Sequence, residues 1–449
     1  MGNIDNSYKT IHILIIFNLL LASIAFLKDI VLAAYFGTSN IADSINLAFF
    51  LPDTIGNNLI GAAIAVATIP VLTKLTLNES KSHYFDVIKK IALIIFVSTI
   101  VLFGLLIIFS KQILTLFSID GNQIQIVKDY FFILAPIIFI APLWLLGSSV
   151  LQASRRFIIP AATPIVFNVI LLISLVIFQS LKIPQATGGI TFSKVITVAT
   201  FCSFIITWIY IYKELEFNWK LTSSSNYKDV KKIGTIFASY ILILLFTQSA
   251  LFVERLYASS LETGTVAALT YAYRLSQFPI WVFIAAVNTF ILPTISLHLE
   301  TRNFNALKTD LKKAFTFVIG VSGIISLILF FFSEPLLQLL LARGAFTSDS
   351  VKLTSLILKS YSLSIVGQSL YVFCLRYYVA EGKMRTPLII GLIGSIINVV
   401  LLTIFVPSMG AKGIGYAVAV SATLSGTLLL IYFVKDLLII GQRGVEVNE

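Results

Sequence analysis

The chain has 449 residues, of which 58% are hydrophobic and 12% charged, and its formal net charge is +11. Soluble domains average about 45 to 50% apolar and about 25% charged residues. Together with a mean hydropathy of +0.96, this composition excludes a soluble globular protein and predicts a polytopic membrane protein. The basic residues lie mostly in short segments between apolar runs, so we attribute the net charge to membrane topology and predict no nucleic-acid partner.

Apolar segments long enough to cross a bilayer recur along the whole chain. A spanning helix needs about 20 predominantly apolar residues, and the sequence predicts an all-α fold with about twelve spans, near 11–36, 41–72, 88–110, 125–151, 157–181, 188–212, 231–257, 264–296, 314–332, 350–379, 386–407 and 411–434. The second and eighth are longer than a straight span requires and contain Pro and Gly, which indicates broken helices beside a polar cavity. No cleavage pattern follows the first run, so we interpret it as a retained helix.

The Lys and Arg residues between the spans determine the predicted orientation. If the N-terminus is cytoplasmic, 20 of them fall on the cytoplasmic side and 8 on the opposite side. The positive-inside rule then places both termini in the cytoplasm, with an even number of spans. Four basic residues lie within spans and need a separate explanation: Lys28, Lys194, Arg274 and Arg376.

The two halves of the chain resemble each other at a shift of 223 residues, which later becomes 227. The matched pairs are Ala62 and Ala285, Ala63 and Ala286, Pro70 and Pro293, Gly121 and Gly344, and Ala153 and Ala380. We predict an N-terminal lobe at 1–216, a cytoplasmic linker at 217–230 and a C-terminal lobe at 231–449. Two pseudo-symmetric six-helix lobes around a central cavity would suit alternating access by rocking.

Ionisable residues in the first two predicted spans mark a candidate site. Lys28, Asp29, Asp43 and Asp53 lie in the otherwise apolar stretch 26–70. A central Lys or Asp costs roughly 2.5 to 3.5 kcal/mol on insertion scales, so such groups face protein or water. The same stretch contains four helix breakers, Gly37, Pro52, Gly56 and Gly61. We therefore expect these two helices to form one wall of a polar cavity.

Each of these residues also has a structural interpretation that the sequence leaves open. Lys28 and Asp29 could mark the outer end of a span over 11–27. Asp43 could cap the second helix from the loop, and Asp53, directly after a proline, is either a helix-start residue or a cation site.

Four ionisable residues of the second half likewise have both a functional and a structural interpretation. Arg274 lies in an apolar and aromatic segment and is either a ligand or an ion-pair partner. Glu254 and Arg255 are adjacent, so they splay apart on a helix and each either pairs with a neighbouring helix or gates the cavity. Arg376 suits a snorkelling anchor better than a ligand. Lys194, in the first half, is ambiguous because it could lie just outside its span.

Several short motifs occur in a fixed order along the chain. They are KDIVLAAYFG, ADSINLAFFLP and LQASRRFIIPAATPIVFN in the first half, then YAYRLSQFP, LLARGAFT and EGKMRTP in the second. In this order they resemble the MurJ (MviN) family over nearly the whole chain. These are the lipid II flippases of the multidrug/oligosaccharidyl-lipid/polysaccharide exporter superfamily.

The resemblance implies a V-shaped, two-lobed transporter that carries an undecaprenyl-pyrophosphate-linked glycopeptide from the inner to the outer leaflet. Arg274 stands at the family's arginine position. Guanidinium forks or a Lys charge can replace the hydration of a pyrophosphate. We therefore predict three substrate-binding cations, Arg274, Lys28 and Arg255, and four coupling or gating carboxylates, Asp43, Asp29, Glu254 and Asp53.

The chain departs from the family pattern at several positions. Gly56, Asn57 and Gly61 stand where the family usually has an arginine pair and a glutamate, and Ala22 replaces another arginine. Many members also add two helices after the twelfth, where this sequence ends. Fewer cations should hold a pyrophosphate less strongly, so lipid II and other polyprenyl-linked glycans both remain open as substrates.

We predict a monomeric flippase of the bacterial cytoplasmic membrane that acts in peptidoglycan biosynthesis and needs no cofactor. Its partners are the lipid bilayer and a polyprenyl-linked glycan. The chain has no G-x-x-x-x-G-K-[ST] loop, so Na+, H+ or the membrane potential would supply the energy rather than nucleotide hydrolysis by that route.

Three other functions remain open at this point. One is a flippase for an exopolysaccharide or O-antigen repeat unit, and another is an ion-coupled multidrug exporter, which the carboxylates favour. The third is a membrane scaffold or an enzyme acting on lipid-linked sugars. An enzyme is disfavoured because His12, His83 and His298 lie at termini or loops and no carboxylate pair has a catalytic spacing.

Overall fold

The computed structural model describes residues 2–78, 80–117, 121–217, 227–278, 304–381 and 383–446. All regular elements in these ranges are helical. They are α1 (Gly2–Phe36), α2 (Asn40–Asp53), a π-helical segment (Thr54–Gly61), α3 (Ala62–Asn78), α4 (Lys81–Ile108), α5 (Ser110–Leu114), α6 (Gly121–Leu134), α7 (Ile137–Ala153), α8 (Ile158–Ser180), α9 (Gln185–Glu214), α10 (Lys228–Ser259), α11 (described over 265–278), α12 (Phe304–Phe331), α13 (Ser333–Leu340), α14 (Ser348–Ser362), α15 (Ser364–Glu381), α16 (Arg385–Met409) and α17 (Ala411–Glu446).

Within the described ranges, 10 helices are long and apolar enough to cross a membrane, and an eleventh span results if α14 and α15, bent by 41°, count as one. The predicted all-α polytopic fold is thereby confirmed. The predicted span at 264–296 is described only as far as residue 278. Pro293, Ala285, Ala286 and His298, all of them part of predictions above, lie outside the described residues.

The order of helices repeats between the two halves of the chain. A long helix ends at Ile108 in the first half and at Phe331 in the second, and short helices start two residues later at Ser110 and Ser333. A broken span follows each time, made of α6 and α7 and then of α14 and α15. The helix ends keep the shift of 223 residues seen in the sequence. Gly121 and Gly344 nevertheless differ, because Gly121 begins α6 whereas Gly344 lies in a turn at φ +57°.

The chain divides into two compact units. The first comprises 1–248 and 343–345, and the second comprises 249–342 and 346–449. The boundary therefore falls inside α10, and the predicted lobe boundaries at 216 and 231 stay a prediction. The core of the first unit lies where α3, α4, α7 and α9 meet, and that of the second lies among α12, α15, α16 and α17.

Large apolar side chains also cover the outside of both units. On α4, for example, Leu93, Ile94, Val97 and Val101 are all more than half exposed, while Ile88 and Ile91 on the opposite face are buried. A soluble helix would place polar residues on the exposed face. This inverted pattern is what a bilayer requires, because lipid tails are as apolar as the protein core.

The second span is a helix interrupted by a π-helical segment that packs on α7. Ser39 caps α2 by accepting a hydrogen bond from the Ala42 N–H at 3.2 Å. After Pro52 the backbone widens into the π-helical segment before α3 begins. A Cβ atom built on Gly56 would collide with the Ile137 carbonyl oxygen of α7, and one on Gly61 with the Leu145 side chain. The two glycines therefore let this segment pack directly on α7.

The three residues 343–345 belong to the first unit although their neighbours in the chain do not. The Ala345 N–H donates a hydrogen bond to the Ala34 carbonyl at 2.8 Å. Gly37 and Gly344 both have positive φ, and a Cβ on either would collide with backbone of the other segment. Only glycine fits both requirements, which explains the two glycines of AYFG and LARGAF.

Phe217 provides a test of the first core. Its ring is 1% exposed and lies 5.1 Å from the Phe85 ring and 6.0 Å from the Trp208 ring, centroid to centroid. Truncating a buried Phe to Ala costs about 3 to 5 kcal/mol. We expect Phe217→Ala to lower the thermal unfolding temperature of the purified protein in detergent markedly.

The matched control is Tyr212→Ala, which removes an aromatic ring that is 62% exposed on the adjoining helix α9. Its unfolding temperature should stay near that of the wild type. Equal destabilisation by both variants would contradict the assignment of Phe217 to the core.

Candidate functional site

The first pair of predicted site residues lies inside a helix. Lys28 Nζ is 3.2 Å from Asp29 Oδ1, and the two side chains are 11% and 18% exposed. Because α1 continues to Phe36, the pair lies inside the helix and not at its end; whether the membrane span ends near residue 27 stays a prediction. A mostly buried ion pair within a spanning helix carries no net charge, which lowers its cost in the membrane.

Asp43 is a member of α2 rather than its cap. The capping side chain is that of Ser39, while Asp43 lies in the first helical turn and donates its own N–H to the Ser39 carbonyl at 3.0 Å. Its side chain is 4% exposed. A carboxylate in the first turn interacts favourably with the positive end of the helix dipole, which helps to hold a buried negative charge here.

Asp53 organises the polar side chains of the π-helical segment. Its Oδ1 accepts a hydrogen bond from Asn57 Nδ2 at 2.7 Å, and its Oδ2 accepts one from Asn58 Nδ2 at 3.3 Å. Asp53 is the last residue of α2 and the N-cap residue of the π-helical segment, although its side chain makes no capping hydrogen bond. Whether it binds a cation stays a prediction.

In the second unit, Glu254 is the centre of a buried hydrogen-bond network. Its side chain is 4% exposed. Tyr361 of α14 donates its hydroxyl to Glu254 Oε2 at 2.6 Å, and Asn398 Nδ2 of α16 donates to Oε1 at 2.8 Å. Glu254 thus joins three helices through two charge-assisted hydrogen bonds. The partners are neutral side chains on neighbouring helices, so the pairing that the sequence suggested is not an ion pair.

The cations Arg255 and Arg274 lie in the same region of the second unit. Both side chains are partly buried. The Tyr273 and Tyr361 rings meet edge to face nearby, 6.1 Å between centroids. A partly buried guanidinium group is a suitable ligand for a doubly charged anion such as pyrophosphate.

Two other predicted candidates are less informative. Arg376 lies five residues before the end of α15, and its Nε makes no hydrogen bond to the described residues; the position suits an anchor. Lys194 lies inside α9 with an exposed side chain, so it does not stand outside the helix.

The sequence-based reasoning missed the polar partners of the carboxylates. Tyr361, Asn398 and Asn58 carry no charge, and their partners lie on other turns or helices, so no local signal distinguishes them. The prediction that His83 lies at a terminus or in a loop is wrong: it lies in the first turn of α4, and its Nε2 is 3.1 Å from Asp229 Oδ2. The buried pair of Asp86 and Lys90, 2.8 Å apart, could have been found from its i,i+4 spacing.

Comparison with known proteins identifies the family to which these features belong. The family model for the lipid II flippase MurJ matches residues 32–448. The chain belongs to this family. A probable lipid II flippase MurJ of Thermotoga maritima is 26% identical over 402 residues, covering 88% of this chain and 78% of the relative. One from Borreliella burgdorferi is 26% identical over 454 residues, covering 99% and 85%.

Solved structures agree on the fold. A lipid II flippase MurJ in an inward closed conformation has a TM-score of 0.80 and 23% identity, with 96% of this chain and 90% of that one covered. An inward-facing multidrug resistance MATE family transporter of the MOP superfamily also has a TM-score of 0.80, at 14% identity, covering 94% and 95%. Both kinds of transporter share the fold, so the family assignment comes from the sequence match. The sequence match confirms the predicted resemblance. It also confirms the prediction that the protein is a transporter rather than an enzyme.

Proposed function

We propose that this protein moves an undecaprenyl-pyrophosphate-linked cell-wall precursor, lipid II or a close relative, across the bacterial cytoplasmic membrane. The observation that carries the proposal is the match of residues 32–448 to the lipid II flippase MurJ family. Transport would proceed from the inner to the outer leaflet by alternating access, as part of peptidoglycan biosynthesis. We further propose a monomer with both termini in the cytoplasm.

The ionisable residues divide into two proposed roles. Arg274, Arg255 and Lys28 would contact the pyrophosphate, because partly buried cations replace the hydration that a phosphate loses on leaving water. Asp29, Asp43, Asp53 and Glu254 would couple or gate transport. Carboxylates at these positions could take up Na+ or H+, and the membrane potential could act on any charge that moves, at about 2.3 kcal/mol per charge per 100 mV.

The test is rescue of a bacterial strain depleted of its own lipid II flippase. We expect growth to be restored and lipid II to appear at the outer leaflet, measured with a membrane-impermeant probe. A well-expressed protein that restores neither would contradict lipid II as the substrate. The same assay with a lipid-linked O-antigen or exopolysaccharide unit would then identify the alternative cargo.

Asp43 gives a separate test of coupling. Asparagine has nearly the same shape, so Asp43→Asn should preserve the fold and the abundance of the protein. Lipid II transport in proteoliposomes should fall about 5-fold or more and lose its response to an imposed Na+ or H+ gradient. Transport that keeps its full gradient response would remove Asp43 from the coupling group.

A further inference from the structure

One face of the second span carries a stripe of polar and aromatic side chains. Asp43, Asn46, Phe50, Asp53 and Asn57 follow each other at alternating steps of three and four residues, so they lie on one side of the helix. From Asn46 onward their side chains are partly exposed. The opposite side, with Leu47, Ala48 and Leu51, is buried in the first unit; the stripe therefore faces away from the core.

The π-helical segment adds Asn58 to this stripe. One π-turn joins residue i to residue i+5, and Asp53 accepts hydrogen bonds from the side chains at i+4 and i+5. In a regular α-helix the side chain at i+5 would point to a different side of the helix from the side chain at i. Each asparagine amide donates one N–H to Asp53. Its second N–H and its carbonyl oxygen can still bond to a ligand. Asn58 is exposed, whereas Gly56 and Gly61 face α7.

The charge of this stretch decides what it can bind. No Lys, Arg or His occurs from Asp29 to Thr73, whereas Asp43 and Asp53 both lie there. The stretch itself therefore offers no cation to a pyrophosphate. Lipid tails are excluded as well, because an exposed carboxylate and two amides are costly in hydrocarbon. A neutral group rich in hydroxyls fits, since each hydroxyl both donates and accepts as each amide does.

A bound metal ion explains the geometry less well. Both Asn Nδ2 atoms point at the Asp53 carboxylate, whereas a cation shared by these side chains would require their Oδ1 atoms instead. These two N–H donors thus stabilise the carboxylate. A partly exposed aromatic ring, Phe50, lies one helical turn before Asp53, and aromatic surface beside a few placed polar groups is typical of sites for small organic ligands.

We infer that Asp53, Asn57 and Asn58 form a sugar-binding site for the glycan of the transported lipid, with Phe50 packing against a sugar ring. This inference rests on the proposed function and refines it. This neutral amide pair, oriented by a carboxylate, would recognise the sugar hydroxyls and not the pyrophosphate. The protein would then distinguish a lipid-linked glycan from the bare lipid pyrophosphate.

The experiment measures binding of two ligands, lipid II and bare undecaprenyl pyrophosphate, to the purified full-length protein in nanodiscs. We expect Asn58→Ala and Asp53→Ala each to weaken lipid II binding about tenfold, the effect of one or two lost hydrogen bonds. Binding of undecaprenyl pyrophosphate should change less than about twofold. The matched control is Thr76→Ala, which alters an exposed polar residue of the same span that bonds only to its own helix.

Each other outcome overturns the inference in a different way. Equal losses for both ligands, or no loss for either, would show that the site does not recognise sugar. Effects that disappear when Na+ is replaced by K+ would indicate a sodium site instead. A wild-type protein that binds neither ligand would overturn the proposed function together with this inference.

Discussion

Replacing Glu254 with leucine should strongly destabilise the protein. The variant leaves the Tyr361 hydroxyl and the Asn398 amide, both buried, without their acceptor, and it removes a negative charge beside Arg255. Each buried polar group left without its partner costs about 1 to 3 kcal/mol, so the two together cost about 2 to 6 kcal/mol. Since folded proteins are stable by only about 5 to 15 kcal/mol, we expect little folded protein in the membrane fraction.

The measurement is fluorescence-detected size-exclusion chromatography, with thermal unfolding of whatever protein can be purified. Glu262→Leu is the matched control, because Glu262 is exposed just beyond the same helix and its replacement should change stability by about 0.5 kcal/mol or less. Glu254→Leu protein that is abundant and stable but does not transport would contradict a structural role for the network. It would instead support direct gating by Glu254.

Arg274→Ala should abolish transport and leave the protein folded. Arg274 is only partly buried, so its removal does not open a core cavity. Hydrogen bonds to charged groups contribute about 1.5 to 3 kcal/mol each, and a guanidinium can offer two to a pyrophosphate. We therefore expect lipid II flipping in proteoliposomes to fall about 100-fold or more, at wild-type abundance. Arg274→Lys should recover part of it, because it restores a charge but not the fork.

The control is Arg385→Ala, which removes an exposed arginine at the start of α16 in the same unit. It should transport as the wild type does. An Arg274→Ala protein that flips lipid II normally would exclude Arg274 from the substrate site, whatever its position in the family pattern.

The predicted site residues show where a sequence is informative and where it is not. A charge inside an apolar span is visible because its cost in lipid demands an explanation, so Lys28, Asp43, Glu254 and Arg274 could all be singled out. Their neighbours could not. Asn398 lies 144 residues from Glu254, and nothing in its local sequence distinguishes it from any other polar residue of a helix.

The end of the first helix shows the same limit. Lys28 next to Asp29 was compatible with either a helix end or a helix interior, because hydropathy alone does not locate the last turn. The structure decides for the interior, since α1 continues for two more turns and packs against α8.

By itself the sequence determined the membrane class, the helical fold, the repeat of helix order and the family, because each depends on composition or on spacing along the chain. Only the tertiary structure decided which neutral side chains hold the carboxylates, that the second span widens into a π-helix, and that Asp53 orients two amides. These features arise from contacts between residues on different turns and helices. Their energies depend on distance in space, which spacing along the chain does not encode.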